Sequence, residues 1–268
     1  FGAKHYPLKL KVKRYDFYKE LGKKIRKVKP KLVAIANPNQ PIEAMLTLKQ
    51  VNKICKIAEK FALNASKKTC VIDNSKFFRM NTGIPLVVAE VNPDELNNHK
   101  NLISNPNCST IQLVLTLKPL HDIYKVKRVI VSTYQAVSGA GKSSMDELIS
   151  QSSDVLNGKN VISKNFSKQI AFNIIPHIDE FVEDGYTKEE WKMENETKKI
   201  LDNNIELSAT CVRVPVKTSH SESVNIEFEK DFDLKDIKSI LSKAPGCEVI
   251  DERKDGGYIT PVEAEGKF

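Results

Sequence analysis

The chain has 268 residues, 40% hydrophobic and 28% charged, which is the composition of a globular protein with a real core and not of a disordered one. No run approaches the roughly 18 apolar residues of a membrane-spanning helix, and the opening FGAKHYPLKLKVKR lacks the apolar stretch and cleavage pattern of a signal peptide. Five cysteines, an odd number without CxxC or Cys/His ligand spacing, argue against a disulfide scaffold and a zinc module. They point instead to a reducing, cytoplasmic setting.

The net charge of +8 is unevenly placed. Residues 1–31 hold twelve Lys or Arg against Asp16 and Glu20, whereas the remainder is slightly acidic. A nucleic-acid surface over the whole protein is therefore not expected. The basic end reads either as a solvated lysine-rich helix face or as a binding arm.

In chain order, the apolar run 31–37 reads as a buried strand stopped by Pro38, and NPNQP as the turn after it. Val51, Ile54, Cys55, Ile57 and Ala58 give helical spacing over 47–61. Residues 70–73 predict a buried strand, with similar short pieces at 84–88 and 102–103. Helical spacing returns over 109–119 and is expected to break at Pro119. Residues 126–137 alternate and are rich in β-branched side chains, so they predict a strand.

Beyond this point the prediction is a helix over 144–156, ended by Asn157-Gly158, and a capping box at Thr187 and Glu190 opening a helix to about Leu201. Strands follow at 205–216 and 222–229; in the second, Val224, Ile226 and Phe228 face one way. A helix at 233–243 ends at Pro245-Gly246. Strands with helices packed on them imply an α+β unit after about residue 109.

The sharpest chemical feature is NPNCST at 105–110. Cys108 follows a Pro-bearing turn and directly precedes a helical run, a position where free N–H groups and the helix dipole favour thiolate. Such a thiolate is a nucleophile, and the polar flank favours that reading over a buried cysteine acting as a small hydrophobe. Cys55 and Cys70, within apolar runs, fit the latter. Among five histidines, His220 lies in a polar bend (KTSHSESV) between two strands, where an imidazole can reach a cleft. Spacing alone does not pair it with Cys108.

Arg213 interrupts an apolar strand, as an arginine paired with a carboxylate or phosphate does. Glu189 and Lys192 share one helix face, either as anion-handling groups or as a surface ion pair. Arg79 in KFFRM is ambiguous by itself, and the SGAG turn at 138–141 is a weak signal for close approach of a cofactor.

Together these stretches carry a resemblance. From about residue 60 to 267, VIDNSKFFRMNTGIPLVVAEVNP, SNPNCSTIQLVLTLKPL, STYQAVSGAG, NIIPHIDEF, GYTKEEWKMENETKKIL, CVRVPVKTSHSESV and TPVEAEGK resemble the aspartate-β-semialdehyde dehydrogenases, in the family's order. The resemblance implies Cys108 as nucleophile, His220 as acid/base and Gln135 orienting the acyl intermediate. It also implies Arg213 on the substrate carboxylate, Arg79, Glu189 and Lys192 around the phosphate, and Ser138 and Gly139 near NADP. Implied partners are aspartate semialdehyde or aspartyl phosphate, phosphate, and a second copy in a homodimer, with neither membrane nor nucleic acid. Ser219 stands where glycine is common, and Ala89 where proline is usual.

No GATG-like glycine-rich turn, which in the family receives the dinucleotide phosphates at a helix N-terminus, occurs in the chain. The chain also lacks the family's closing helix. Impaired NADP binding is therefore expected, and a non-catalytic fragment that keeps the dimerisation surface is the alternative to an enzyme. Residues 1–58 resemble part of a fold-type I aminotransferase, with NPNQP at the cofactor turn; Gln40, Ile42 and Glu43 depart from that pattern, and the Schiff-base lysine segment is absent. The expected fold class is α/β plus α+β: an aminotransferase-like fragment over 1–59, a remnant dinucleotide-binding domain over 60–108, and a mixed-sheet catalytic and dimerisation domain over 109–268.

Overall fold

The computed structural model describes residues 62–67 and 69–267. The strand at 31–37, the NPNQP turn, the helix expected over 47–61, the basic end and the aminotransferase-like resemblance lie outside the described residues. Residues 62–66 are helical, and Ala62 from this turn packs with Val71, Phe78 and Leu102. Strands β1 (Val71–Asp73) and β2 (Leu102–Ser104) pair in parallel. The 84–88 segment contributes one parallel bridge, Leu86 to Ser104, and no strand. Pro85 lies within it and has no N–H for a ladder.

Helix α1 spans Cys108–Tyr124 and continues through Pro119, where the sequence pattern placed its end. Proline at that position denies the Leu115 carbonyl its i+4 amide. The Cys247 thiol, 3.6 Å away, donates to that carbonyl instead. The helix runs five residues beyond the proline.

Strand β3 (Val126–Gln135) follows, then helix α2 (Lys142–Leu156), which ends at Asn157 with Gly158 in the left-handed region. Helix α3 (Lys188–Ile200) opens with the Thr187–Glu190 capping box. Strand β4 (Glu206–Arg213) stops two residues before Pro215, short of the expected 216. Strand β5 (Ser221–Phe228), helix α4 (Leu234–Lys243) and the short helix α5 (Pro261–Ala264) complete the described chain.

The second sheet has the order β4-β3-β5, with β3 parallel to β4 and antiparallel to β5. A parallel pair requires a long crossover, and residues 136–205 supply it with α2 and α3. The inner face of β3, with Val129 and Val131, packs with Leu113 and Leu117 of α1, Met193 of α3 and Leu207 of β4. Val224, Ile226 and Phe228 of β5 cover this core, as their alternation predicts. Each large apolar side chain so enclosed contributes roughly 1.5–3 kcal/mol. The outer face leaves Ile130 and Tyr134 exposed. Because β3 and β4 run in parallel and in register to Gln135 and Arg213, both strands deliver their last side chains to one edge of the sheet, beside the start of α1.

Candidate active site

A cavity of about 640 Å³ lies at this edge and is lined by every residue the sequence nominated: Cys108, Gln135, Ser138, Gly139, Glu189, Lys192, Arg79, Arg213 and His220. They come from β3, β4, the starts of α1 and α3, the 137–140 turn and two loops. No helix among the described residues is long and apolar enough to cross a membrane.

Asn107 sets the position of Cys108. Its side-chain oxygen accepts from the Ser109 and Thr110 amides at 2.9 and 3.3 Å, capping α1, and its amide nitrogen donates to Glu189 at 2.9 Å. Its own backbone N–H donates to Glu196 at 2.6 Å. Cys108 is thereby fixed as the first residue of the helix, one position earlier than the start expected at Ser109.

The protonation state of Cys108 differs from the sequence expectation. The residue is solvent-exposed as a whole, yet protein packs round the sulfur, and this desolvation raises the thiol pKa above its ordinary value. Glu189 raises it further; the Ser109 N–H, Arg213 and Lys192 pull the other way without prevailing. The helix N-terminus alone does not produce a thiolate here, because burial of the sulfur, and after it the Glu189 carboxylate from α3, outweighs it.

His220 also has a defined state. Its Nδ1 accepts the Ala136 N–H at 3.0 Å. Burial, reinforced by Arg213 and opposed by Glu189, lowers its pKa to about 4. The neutral ring therefore carries its proton on Nε2. Arg213 donates to the carbonyl of the same Ala136 at 2.7 Å. A Cβ on Gly139 would lie 3.0 Å from the Arg213 guanidinium and 3.2 Å from His220 Nε2, so glycine keeps this turn clear of both groups. Ser219, the residue before the histidine, adopts φ 68, the left-handed region that suits glycine.

The Glu189–Lys192 pair is buried and does not form a surface bridge. Glu189 accepts from Asn107, from Gln135 at 3.0 Å and from Lys192 at 2.6 Å. Burial would push its pKa up, but Lys192 and these hydrogen bonds hold it below the usual value. Burial likewise opposes the charge on Lys192, and Glu189 with Asp179 outweighs it, so the Lys192 pKa is raised. Gln135 is held between Glu189 and Thr133.

Arg79 gives three of its five N–H groups to the Ser75 carbonyl, the Asn74 carbonyl and Glu196, the last at 3.0 Å. Glu196 is 1% exposed and joins Arg79 to the Asn107 backbone. Sequence reading missed it, although its i+7 spacing from Glu189 put it on the same face of α3. Asn107, Lys76 and Asp179 were also missed. Asn107 was legible as a preferred N-cap residue before the helical run, whereas Lys76 and Asp179 meet across 103 positions and leave no local signal.

Comparisons with known proteins bear on the family of the chain. The sequence model of the semialdehyde dehydrogenase dimerisation domain matches residues 117–267, and that of the semialdehyde dehydrogenase NAD binding domain matches residues 13–99. The aspartate-semialdehyde dehydrogenase of Aquifex aeolicus is 50% identical over 214 residues, covering 78% of this chain and 62% of the relative. Aspartate semialdehyde dehydrogenase II of Vibrio cholerae, whose structure is also known complexed with ASA, superposes with a TM-score of 0.76 at 43% identity, covering 80% of this chain and 64% of that one. The Candida albicans enzyme, solved with NADP, gives a TM-score of 0.54 at 25% identity, covering 81% and 56%. The chain thus spans less than two thirds of the length of these relatives. With its second sheet, its cysteine-headed helix and the match over residues 117–267, the chain belongs to the semialdehyde dehydrogenase family.

Proposed function

We propose that the protein interconverts aspartyl phosphate and aspartate semialdehyde with NADP, through a thioester on Cys108. The observation that carries this reading is the shared cavity: a cysteine at a helix start, a neutral imidazole, and cations suited to a carboxylate and a phosphate line one space. Four cationic side chains (Lys76, Arg79, Lys192 and Arg213) face two carboxylates (Asp179 and Glu189) in that lining, which favours an anionic substrate.

In the acylation step the Cys108 sulfur adds to the acyl carbon, the C–O bond to phosphate breaks, and the thiol proton leaves on the released phosphate. Gln135, held by Glu189 and Thr133, orients the thioester. Arg213 pairs with the substrate carboxylate. The Nε2–H of His220 donates to the thioester oxygen as that atom gains charge. Two amides that could share this task, those of Ser109 and Thr110, already serve Asn107.

NADP, when bound, supplies or accepts the hydride. Ser138 and Gly139 fit its nicotinamide end, because the glycine leaves the space beside the imidazole free of a side chain. The dinucleotide-binding remnant at 60–108 and the catalytic unit from 109 meet at Cys108. The outer face of the β4-β3-β5 sheet, with Ile130 and Tyr134 exposed, is the surface for a homodimer in the cytoplasm. The test is phosphate-dependent NADPH formation from aspartate semialdehyde. Activity lost in Cys108→Ala supports the reading, and activity unchanged in that variant overturns it. A separate NADPH fluorescence titration reports the cofactor half independently of the thiol.

A further inference from the structure

Lys76 was assigned no role by the sequence, yet its side chain lines the cavity and is 35% exposed. Its ammonium lies 3.2 Å from Asp179 Oδ2 and 3.4 Å from Oδ1. The Lys192 ammonium lies 3.0 Å from the same Oδ2 and 2.6 Å from Glu189. One carboxylate oxygen therefore holds two ammonium groups side by side at the cavity wall.

Asp179 is itself held in place. Its Oδ1 accepts the Glu180 backbone N–H at 3.0 Å, and its backbone adopts φ 69, an uncommon conformation for a residue with a Cβ. Burial raises its pKa, but Lys192 and Lys76 together outweigh this and hold it at about 2. An ammonium has three N–H donors. Lys192 commits two of them, to Asp179 and Glu189, and keeps one; Lys76 is bonded to Asp179 alone among the described residues and keeps at least one.

We propose that Lys76 is a phosphate-binding residue, acting with Lys192 as a two-cation seat for inorganic phosphate whose spacing Asp179 sets. This rests on the phosphorylating reading above and adds to it the group that grips the oxyanion from the loop after β1. A tetrahedral oxyanion accepts one N–H from each ammonium, while Asp179 prevents the two cations from repelling each other apart. Asp179 acts through the lysines and is a positioning residue.

The experiment is calorimetric titration of the purified protein with inorganic phosphate, alongside NADPH as the second source of phosphate groups. Lys76→Met is expected to weaken phosphate binding about tenfold and leave NADPH binding within twofold, with Lys76→Arg close to wild type. Lys118→Met, which alters an exposed pair with Asp122, leaves both affinities unchanged. Asp179→Asn is expected to weaken phosphate binding and to shift its salt dependence, which loss of packing alone does not do. Phosphate affinity unchanged in Lys76→Met but lost in Lys192→Met overturns this inference and spares the phosphorylating reading. Unchanged affinity in both variants, or no saturable phosphate binding by the wild type, overturns both. NADPH binding weakened by Lys76→Met with phosphate binding intact assigns Lys76 to the dinucleotide and overturns the proposal.

Discussion

The Ala136 amide donates to His220 Nδ1 across 3.0 Å, and this hydrogen bond determines which nitrogen of the ring carries the proton. An acceptor at Nδ1 leaves the neutral imidazole as a donor at Nε2, beside Gly139. Nitrogen-15 spectra of the histidines are predicted to show the Nε2–H tautomer for His220 at neutral pH. The folded pKa of about 4 lies below the ordinary 6.5, so the unfolded chain takes up a proton that the folded protein refuses. The stability linked to this residue is complete above pH 6.5 and declines as pH falls towards 4, by about 3 kcal/mol at most. Denaturant titrations of wild type and His220→Gln across that window check the sign: the gap between them narrows on acidification.

Cys108 is predicted to be a slow nucleophile in the protein alone. Desolvation and then Glu189 raise its pKa, so its alkylation rate should climb with pH beyond the range of an ordinary exposed thiol. Removing the charge in Glu189→Gln lowers the midpoint of the iodoacetamide rate profile, and peptide mapping assigns the label. A midpoint unmoved by this substitution shows that the carboxylate does not act on the sulfur.

Glu196 ties Arg79 to the backbone of Asn107, next to Cys108. Glu196→Ala strands a buried guanidinium and the Asn107 N–H, at a cost of about 3–5 kcal/mol. Glu196→Gln keeps an acceptor oxygen and is predicted to cost less. Chemical denaturation of the two variants gives the comparison, and equal losses contradict the account of the Asn107 clamp.

A distant thiol, that of Cys247, donates to the Leu115 carbonyl in the helix that bears Cys108. Cys247→Ala leaves the Leu115 carbonyl without its donor and is predicted to cost about 1 kcal/mol. In a Pro119→Ala background the backbone amide at 119 can bond Leu115 directly, so the same cysteine change costs less. A double-mutant cycle measures the difference.

These contacts show which parts of the protein could be read locally. Asn107 before a helical run, Thr187 with Glu190, and the alternation through Val224, Ile226 and Phe228 encode their elements within a few residues, and the structure follows them. Pro119 misled because the group that satisfies Leu115 lies in another loop. The thiol pKa misled for the same reason: the helix dipole is local, whereas the burial of the sulfur and, after it, the charge of Glu189 come from tertiary packing. Gln135, Glu189, Lys192, Arg213 and His220, named from the family motifs, line one cavity with Cys108, but those motifs do not disclose that Arg79 is largely committed to Glu196.

The central claim is that Cys108 accepts an acyl group from an acyl phosphate, and intact-protein mass spectrometry with peptide mapping after incubation with β-aspartyl phosphate tests it without any cofactor. The account predicts a gain of one aspartyl group on Cys108, with phosphate released in equal amount and no adduct in Cys108→Ala. Unmodified protein, or acylation at Cys211 or Cys247 with Cys108 untouched, contradicts it.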